Sequence, residues 1–394
     1  MLRFLTAGES HGPELLVILE GLPAGIPVDA IRIRRDLARR QRGYGRGARM
    51  RIEDDDPVLV AGVRHGYTLG SPVALRIPNL DHSRWEAAMA VTPVAGPVAG
   101  DEEHLRRMFR PRPGHADLAG GLKYDRRDLR DILERASARE TAARTAMGAI
   151  CRILLDELGV RVVSHVVRVG RVAVSAPLDI SFERIASIPE DAAVGCADPD
   201  LEREMIAEID RARESSDSVN GAFEVAAQGV PPGLGSHVHW DRRLDGRLMQ
   251  ALGSIPAVKA VSIGDGVGAA SRFGSEVHDE IFYAAEERRF HRPTNRAGGI
   301  EGGMTNGSEV RVTGYMKPLS TLPRPLRSVD LRTHAPADAA FERTDTTAIR
   351  AAGVIGEGMV AYVLAEAMIE KFGGDSLEEM RRNLAGYREQ IARY

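Results

Sequence analysis

The order of strand-like and helical segments is the feature that most constrains how this chain can fold. Short runs rich in β-branched residues are typical of strands, and four are clear: Leu15–Leu19, Val58–Val63, Val160–Val169 and Glu309–Thr313. A long apolar segment, Val354–Phe372, predicts a helix that stops at Gly373 and Gly374. The two kinds of segment do not alternate regularly, as a doubly wound parallel sheet requires, so the sequence predicts an α+β fold.

Two further helices have recognisable starts. Asp29 is a good N-cap for a helix that runs to about Gln41. The run Ser137–Glu140 fits the S-x-x-E capping box, which predicts that Ser137 caps a helix running to about Leu158. Its N-terminus would face Arg135 and any anion held there. One face of this helix has only small residues, which predicts close packing: Ala142, Ala143, Ala146 and Ala149.

Composition narrows the class of protein. The 394 residues carry a formal net charge of −3, which gives no general attraction to nucleic acid or to an acidic membrane. Cys151 and Cys196 are isolated, so we expect neither a metal site nor a disulfide framework. No apolar run approaches the ~18 residues of a membrane span, and the chain opens on a strand-like segment rather than a leader. We therefore expect a cytoplasmic protein with no nucleic acid, membrane or metal partner.

Two histidines lie in short, glycine-containing polar motifs. His11 lies in Gly8–Gly12 (GESHG), and His115 lies in Arg112–Asp117 (RPGHAD). Glycine lets the backbone approach a ligand closely, and imidazole can transfer a proton near neutral pH. We interpret the pair as proton-transfer groups beside an anion, although a single loop histidine is usually an ordinary surface residue. A serine triad has little support, because no G-x-S-x-G elbow is present.

The segment after the first predicted helix interleaves glycines with six arginines: Arg39, Arg40, Arg42, Arg46, Arg49 and Arg51. Three interpretations stay open: a solvated basic loop, an RNA contact, or a lid that closes on a small polyanion. Guanidinium forks match phosphate and carboxylate oxygens, which suits the third. The net negative charge and low aromatic content argue against RNA. Among the basic residues only four are lysines, so Lys317 stands out.

Three further segments have two interpretations each. Asn295–Gly307 has five glycines and fits neither GxGxxG nor a P-loop, so it is a surface for a flat or anionic ligand or a tight hairpin network. Gly264–Gly268 looks like a dinucleotide loop, but no good helix follows it, which disfavours that interpretation. Asp345 is either a helix cap or, with Arg343 two residues away, a carboxylate placed for proton transfer.

In their number and order these motifs resemble the chorismate synthase family. The resemblance extends from residue 8 to beyond residue 345, so it covers nearly the whole chain. Each motif is modest alone, but chance similarity across all of them is implausible. It is carried by Gly8–Gly12, Arg39–Gly47, Arg112–Asp117, Arg135–Ala142, Asn295–Gly307, Met316–Pro318 and Arg343–Asp345.

The resemblance implies a lyase that converts 5-enolpyruvylshikimate 3-phosphate to chorismate and phosphate by a 1,4-anti elimination. This is the final step of the shikimate pathway in aromatic amino-acid biosynthesis, and it requires reduced FMN without net redox change. The implied fold is a single-domain β-α-β sandwich over residues 1–394, with antiparallel sheets packed against helices. The implied assembly is a homotetramer.

The resemblance also implies roles for individual residues. His11 would protonate the departing phosphate, His115 would protonate or hydrogen-bond the reduced flavin, and Asp345 would work with flavin N5 in removing the ring proton. The phosphate and two carboxylates of the substrate would be bound by Arg40, Arg46, Arg49, Arg112, Arg139 and Arg343. Lys317 would stabilise the anionic flavin within a site formed by Arg135, Ala136, Ser137, Pro256, Ala257, Gly302, Lys317, Pro318, Leu319, Ser320, Thr321 and Arg343.

Two residues depart from the family pattern. Pro256 stands where an amide side chain is usual, so a flavin contact there is limited to the backbone carbonyl or to packing. Asn220 replaces a common glycine, and we expect asparagine to keep a left-handed turn because it tolerates that conformation.

Two functions of other classes remain open on the sequence. One is an oxidoreductase with a nicotinamide dinucleotide at Gly264–Gly268, and the other is an RNA-binding protein that uses Arg39–Arg51. The source of reduced flavin is also open. No reductase module is visible, so we expect a separate flavin reductase, with NADPH only an indirect source. With an intrinsic reductase activity, Arg40 and Arg46 would instead meet the nucleotide phosphate.

Overall fold

Two antiparallel sheets enclose a layer of helices in the computed structural model, which describes residues 1–47, 54–93, 105–342 and 345–394. The helices in these ranges are α1 (Ala30–Gln41), α2 (Asp117–Tyr124), α3 (Arg130–Ala136), α4 (Thr141–Glu157), α5 (Phe182–Ala186), α6 (Pro199–Glu214), α7 (Leu244–Gly253), α8 (Gly274–Val277), α9 (Ile349–Phe372) and α10 (Leu377–Ile391).

The strands in the same ranges belong to two large sheets and several two-stranded ribbons. They are β1 (Arg3–Ala7), β2 (Glu14–Glu20), β3 (Val58–Ala61), β4 (Val63–Arg64), β5 (Tyr67–Thr68), β6 (Val73–Pro78), β7 (Arg161–Val169), β8 (Val172–Ala173), β9 (Gly221–Gln228), β10 (Val258–Ile263), β11 (Phe282–Ala284), β12 (Arg289–His291), β13 (Ile300–Glu301), β14 (Met304–Thr305), β15 (Val310–Met316), β16 (Arg327–Val329) and β17 (Pro336–Asp338).

The layers follow from the strand orders. The first sheet has the order β1-β2-β6-β3, and the second has the order β10-β15-β9-β7-β8. Helix α4 packs on β2 and β6, α9 packs on β7 and β9, and α4 packs against α9 in the middle. The expected α+β fold, a β-α-β sandwich with antiparallel sheets, is confirmed. The four predicted strands correspond to β2, β3 with β4, β7 and β15.

The first sheet shows the alternation of a half-buried sheet. In β2 the side chains of Leu15, Val17 and Leu19 are buried against the helices. The intervening Leu16 and Ile18 point outward and are 42% and 46% exposed. One face of this sheet therefore supplies the core, while the other presents apolar side chains to the surface.

The contact between α4 and α9 depends on small residues, as the sequence predicts. All four alanines of the predicted small-residue face are buried. A Cβ added to Gly148 would lie 2.2 Å from the Cα atom of Gly358, so the two backbones touch. This close approach sets the position of the two helices relative to each other. Both helices begin at the cavity described below.

The predicted start of α4 is wrong by three residues. Ser137 caps a short 3-10 turn, Ala138–Glu140, by accepting a hydrogen bond from Arg139 N at 3.3 Å, and the α-helix begins at Thr141. Glu140 does not close the capping box, because its carboxylate accepts hydrogen bonds from Thr6 Oγ1 and Arg144 Nε instead. Arg139 lies in this turn, before the α-helix, and it lines the cavity described below.

Helix α9 is the longest helix among the described residues, and it begins five residues before the predicted start. By length and composition it resembles a membrane span, but 83% of its most apolar window is buried inside the protein, as in a core helix. It ends at Gly373, whose φ of 53° is left-handed, as the sequence predicts.

The two glycine-rich loops have structural roles. Asn295–Gly307 contains the β13–β14 hairpin, and its five glycines all have positive φ, which is the hairpin interpretation. The loop at Gly264 leads into a 3-10 turn, Gly266–Ser271, rather than into a helix that could face a dinucleotide. The expected left-handed turn at Asn220 is wrong, since its φ is not positive.

Candidate active site

A cavity of about 760 Å³ lies at the starts of α4 and α9 and the end of α1. It brings together, among the residues proposed from the sequence, His11, His115, Asp345, Arg40, Arg46, Arg112, Arg139, Ala136, Ser137, Pro256, Ala257, Lys317, Leu319, Ser320 and Thr321. Its lining also includes apolar side chains, among them Leu133, Ile255 and Ile355. It therefore offers both cationic groups and apolar surface to a ligand.

His11 is held in a fixed orientation. Its Nδ1 atom lies 3.0 Å from both carboxylate oxygens of Glu134, and its backbone N–H donates to Glu134 Oε2 at 2.9 Å. The imidazole stacks on the indole of Trp85, with 3.7 Å between ring centroids and 19° between ring planes. Since a carboxylate only accepts hydrogen bonds, Nδ1 must carry a proton. Nε2 is then the ring nitrogen that is left for other partners.

His115 has a similar arrangement, built from its own motif. Its Nδ1 lies 2.5 Å from Asp117 Oδ1, and Asp117 also accepts from Arg112 Nε at 2.8 Å. Burial would raise the pKa of Asp117, but hydrogen bonds from His115 and Arg112 outweigh it and lower the pKa well below its ordinary value. Arg112 Nη1 donates to Thr321 Oγ1 at 3.0 Å, which ties this motif to the Lys317–Thr321 segment.

Arg40 and Arg139 are buried side by side at another part of the cavity. Arg139 Nη1 lies 2.6 Å from Asp55 Oδ1, whereas Arg40 Nη1 lies 3.7 Å from Asp55 Oδ2. Burial lowers the pKa of Arg40 to about 10, and the charges of Arg139 and Arg46 add to that effect although Asp55 opposes it. Positive charge therefore exceeds negative charge here, and a bound anion would stabilise the group.

Asp345 binds the arginine-rich segment rather than a helix end. Arg46 Nη1 lies 2.7 Å from Asp345 Oδ2, and the backbone N–H of Gly47 donates to Asp345 Oδ1 at 2.6 Å. The helix-cap interpretation is wrong, because α9 begins at Ile349 with Ala348 as its N-cap residue. Arg49 and Arg343 lie outside the described residues.

The segment around Lys317 is held by backbone contacts. Lys317 N donates to Ala257 O at 2.9 Å, which joins the Pro256–Ala257 pair to the Lys317–Thr321 segment. Ala257 has a φ of 68°, a left-handed conformation that is unusual for alanine. Burial lowers the pKa of Lys317, and the nearby charge of Lys259 lowers it further.

Three residues proposed from the sequence do not line this cavity. Arg135 points to the N-terminal loop, where it donates to Gly8 O at 3.1 Å and Thr6 O at 2.9 Å. It thereby holds the loop that carries His11. Pro318 lies within the Lys317–Thr321 segment without lining the cavity, and Gly302 lies at the turn of the β13–β14 hairpin.

Several residues of the site escaped the sequence reasoning: Trp85, Arg106, Arg130, Glu134 and Glu342. Arg130 and Glu134 are four apart on α3 and form an ion pair at 3.1 Å, a spacing that the sequence does show. Trp85 gave no signal, because its contact with His11 joins segments 74 residues apart. Asn220 was also misjudged. Its side chain donates to Lys317 O at 3.0 Å and accepts from Ala348 N at 3.0 Å, linking two parts of the site.

These features define a class of protein before any comparison. A cavity with surplus positive charge and two imidazoles, each bonded to a buried carboxylate, is the site of an enzyme that binds a small polyanion and transfers protons.

The comparisons identify the family. A family model described as chorismate synthase matches residues 2–369. The chain is 54% identical over 392 residues to the chorismate synthase of Symbiobacterium thermophilum, covering 100% of both chains. It is 56% identical to that of Desulforudis audaxviator, covering 99% of this chain and 98% of the relative. A solved structure described as a crystal structure of chorismate synthase has a TM-score of 0.79 and 41% identity, covering 100% of this chain and 99% of the other.

The chain belongs to the chorismate synthase family, so the resemblance seen in the sequence is confirmed. It is a carbon–oxygen lyase that forms chorismate from 5-enolpyruvylshikimate 3-phosphate with release of phosphate. This is the last step of the shikimate pathway. The oxidoreductase and RNA-binding alternatives are set aside by this membership.

Proposed function

We propose that the elimination takes place in the 760 Å³ cavity, with reduced FMN as cofactor. The observation that carries the proposal is that His11 and His115 line one cavity together with six arginines from three stretches of the chain. No such convergence is needed for folding. It is suited to a ligand with several negative charges and a bond whose cleavage needs proton transfer.

The substrate has one phosphate and two carboxylates, and six arginines would bind them: Arg40, Arg46, Arg49, Arg112, Arg139 and Arg343. The surplus positive charge around Arg40 supports this role, since the burial of a cation is unfavourable until an anion compensates it. Arg46 is paired with Asp345. An incoming carboxylate or phosphate would compete for Arg46 and release Asp345.

His11 would give a proton to the departing phosphate. The Nδ1 contact with Glu134 supports this role, because it leaves Nε2 as the ring nitrogen available to a ligand. Asp345, once released from Arg46, would take part in removing the ring proton, and His115 would hydrogen-bond or protonate the flavin. The two histidines would thus act on different groups.

Reduced FMN fits the rest of the cavity lining. The apolar residues Leu133, Ile255 and Ile355 suit a flat ring, and Lys317 offers a cation to an anionic one. Ala136, Ser137, Pro256, Ala257 and the segment Lys317–Thr321, with Arg135, Gly302 and Arg343, would hold the cofactor. When bound, reduced flavin supplies an electron-rich ring beside a bond that is breaking. Pro256 would contribute only its carbonyl or packing.

The cellular setting is part of the proposal. We place residues 1–394 in one catalytic domain of a cytoplasmic homotetramer that receives reduced flavin from a separate reductase, with NADPH as an indirect source. The outer face of the first sheet supports assembly, because the cross-strand neighbours Leu5 and Ile18 are 72% and 46% exposed there. Sedimentation equilibrium should give four times the chain mass, and a monomer would contradict it.

Anaerobic assay of phosphate release tests the proposal. With chemically reduced FMN, the protein should release phosphate from 5-enolpyruvylshikimate 3-phosphate, and with oxidised FMN or without flavin it should not. Release at an equal rate without flavin would contradict the cofactor assignment. Steady NADPH consumption by the purified protein would contradict the external source of reduced flavin.

A further inference from the structure

Glu134 is a buried carboxylate whose contacts converge on His11. It is 2% exposed, and it accepts from the backbone N–H and Nδ1 of His11 and from Arg130 Nη1 at 3.1 Å. The carbonyl oxygen of the same residue accepts from Ser10 N at 3.0 Å. Both the side chain and the main chain of Glu134 therefore fix the loop that presents His11.

The charge state of Glu134 follows from its surroundings. Burial alone would raise the pKa of this carboxyl group, but the hydrogen bond and charge of His11 and the charge of Arg130 lower it below its ordinary value. Glu134 is thus an anion near neutral pH. An anion at 3.0 Å from Nδ1 can only accept a hydrogen bond, which excludes the tautomer that carries its only proton on Nε2.

Trp85 restricts the remaining freedom of the imidazole. Its indole covers one face of the His11 ring, and Trp85 is itself 4% exposed, with Nε1 donating to Asp81 at 3.3 Å. The guanidinium of Arg106 lies 3.8 Å from the indole centroid. The ring of His11 can therefore neither flip nor swing away without breaking the bonds to Glu134.

Few other charged groups face His11. Arg130 binds Glu134 and Glu342 rather than the imidazole, and Arg106 contacts Trp85. His82 Nδ1 lies 2.9 Å from the carbonyl oxygen of His11, which is remote from the ring nitrogens. Among the described residues, Glu134 is the carboxylate that contacts the ring of His11.

We propose that Glu134 is a positioning residue that holds the Nδ1 proton of His11, so that the proton given to the leaving phosphate departs from Nε2. This inference rests on the proposed role of His11 as the acid. Glu134 does not touch substrate in this account, and Arg130 holds it in place. The same arrangement recurs at His115, Asp117 and Arg112. There, however, Arg112 Nη2 also lies 3.0 Å from His115 Nδ1.

The substitution Glu134→Gln tests the proposal, because it keeps the size of the side chain, removes the charge and replaces one accepting oxygen by a donating NH2 group. We expect kcat for anaerobic phosphate release to fall at least about tenfold, with KM changed less than about threefold. Glu134→Asp, which restores the carboxylate, should recover most of the lost kcat.

Glu140→Gln is the matched control. Glu140 is also buried, it lies six residues further along the chain, and it contacts Thr6 and Arg144 rather than His11. Its kcat and KM should be those of the parent protein. A parent-like kcat for Glu134→Gln would overturn the proposal, provided that His11→Ala is slow. If His11→Ala is itself as fast as the parent, the proposed role of His11 fails instead.

A measurement on the unsubstituted protein keeps the proposal testable if Glu134→Gln does not fold. Long-range ¹H–¹⁵N correlation spectra report which ring nitrogen of a histidine carries a proton. The His11 ring should carry a proton on Nδ1 whether it holds one proton or two. A neutral ring protonated on Nε2 alone would overturn the proposal.

Discussion

Two arginine-rich cavities lie next to α1 and α9, and they differ in how the positive charge of their arginines is balanced by carboxylates. Among the described residues, the candidate active cavity is lined by six arginines, one lysine and two carboxylates, and four of these arginines also pair with carboxylates outside the lining: Asp55, Asp117 and Glu134. The second, of about 500 Å³, is lined by five arginines and three carboxylates: Arg32, Arg35, Arg39, Arg152 and Arg350 with Asp36, Glu190 and Glu357. Both draw on the end of α1 and the start of α9.

Neighbouring residues of α1 show the difference most clearly. Arg39 faces the second cavity, where both of its Nη atoms lie 2.7 Å from the oxygens of Glu357. Burial would lower the pKa of Arg39, but Glu357 and Asp36 raise it instead. The next residue, Arg40, faces the active cavity, and its pKa is lowered. Arg39 has a carboxylate, that of Glu357, within hydrogen-bond distance. The carboxylate nearest to Arg40, that of Asp55, lies 3.7 Å away.

The contacts of Glu357 explain how the positive charge of the second cavity is balanced. Glu357 is wholly buried and also accepts from Ser164 Oγ at 2.8 Å, with Arg152 Nη1 at 3.1 Å. These contacts join α9 to α1, α4 and β7, so the charges hold elements of the fold together. Arginine content alone does not mark a binding site. A binding site is indicated where a buried guanidinium group lacks a hydrogen-bonded carboxylate of the protein, as Arg40 does and Arg39 does not.

The largest predicted effect is on catalysis at the active cavity. His11→Ala should lower kcat for phosphate release by about 10³-fold, since it removes the proposed acid. Binding of reduced FMN, measured by fluorescence or absorbance titration, should change little. His239→Ala is the control, because His239 is exposed and paired with Asp241. Loss of flavin affinity in His11→Ala would move His11 from the chemistry to the cofactor site.

The second cavity should respond in stability rather than in rate. Glu357→Gln leaves Arg39 and Arg152 without a buried partner charge, and removal of one partner of such a group costs about 3–5 kcal/mol. We expect that loss in the free energy of unfolding, measured by urea denaturation, with kcat per folded molecule retained. A stable variant with a large loss of kcat would erase the distinction between the cavities.

A smaller effect is expected for substrate binding. Arg46→Ala should raise the KM for substrate by about 100-fold, as removal of a charge-assisted pair costs about 1.5–3 kcal/mol. The affinity for FMN should fall much less. Equal losses for substrate and FMN would assign the Arg46 segment to the flavin or to the fold.

The smallest effect is on the pH dependence of stability. Burial would raise the pKa of Asp36, but the charges of Arg152 and Arg39 lower it, and the pKa of Glu134 is lowered likewise. A lowered pKa stabilises the fold fully above the unfolded value of about 4. The contribution is lost as the pH falls through the folded value. Calorimetry should therefore show Tm nearly constant down to about pH 5 and falling below about pH 4, less steeply in Asp36→Asn.

Local patterns predicted much of the fold. The cap at Asp29, the stop at Gly373 and the strands all depend on residues near each other in the chain. The start of α9 was missed because its N-cap residue is Ala348, which has no capping side chain and whose N–H donates to the distant Asn220. The start of α4 was missed because Glu140 has partners in β1 and α4 that a local rule does not contain.

The residues of the candidate site also fall into two groups, those that local motifs predict and those that depend on tertiary contacts. Motifs with glycine, histidine and arginine were visible, and most of their residues line one cavity. Glu134 and Trp85 were not visible, because they act through tertiary contacts with His11. The sequence also could not separate Arg39 from Arg40. Their different surroundings depend on Glu357, which lies more than 300 residues further along the chain.

Calorimetric titration with 5-enolpyruvylshikimate 3-phosphate tests the central claim most directly. The unsubstituted protein should bind one molecule per chain. Arg46→Ala, in the active cavity, should lose about 100-fold in affinity, whereas Arg35→Ala, in the second cavity, should bind within about twofold of the parent. Two molecules bound per chain, or a loss of affinity in Arg35→Ala rather than in Arg46→Ala, would contradict the assignment of the substrate to the cavity with uncompensated charge.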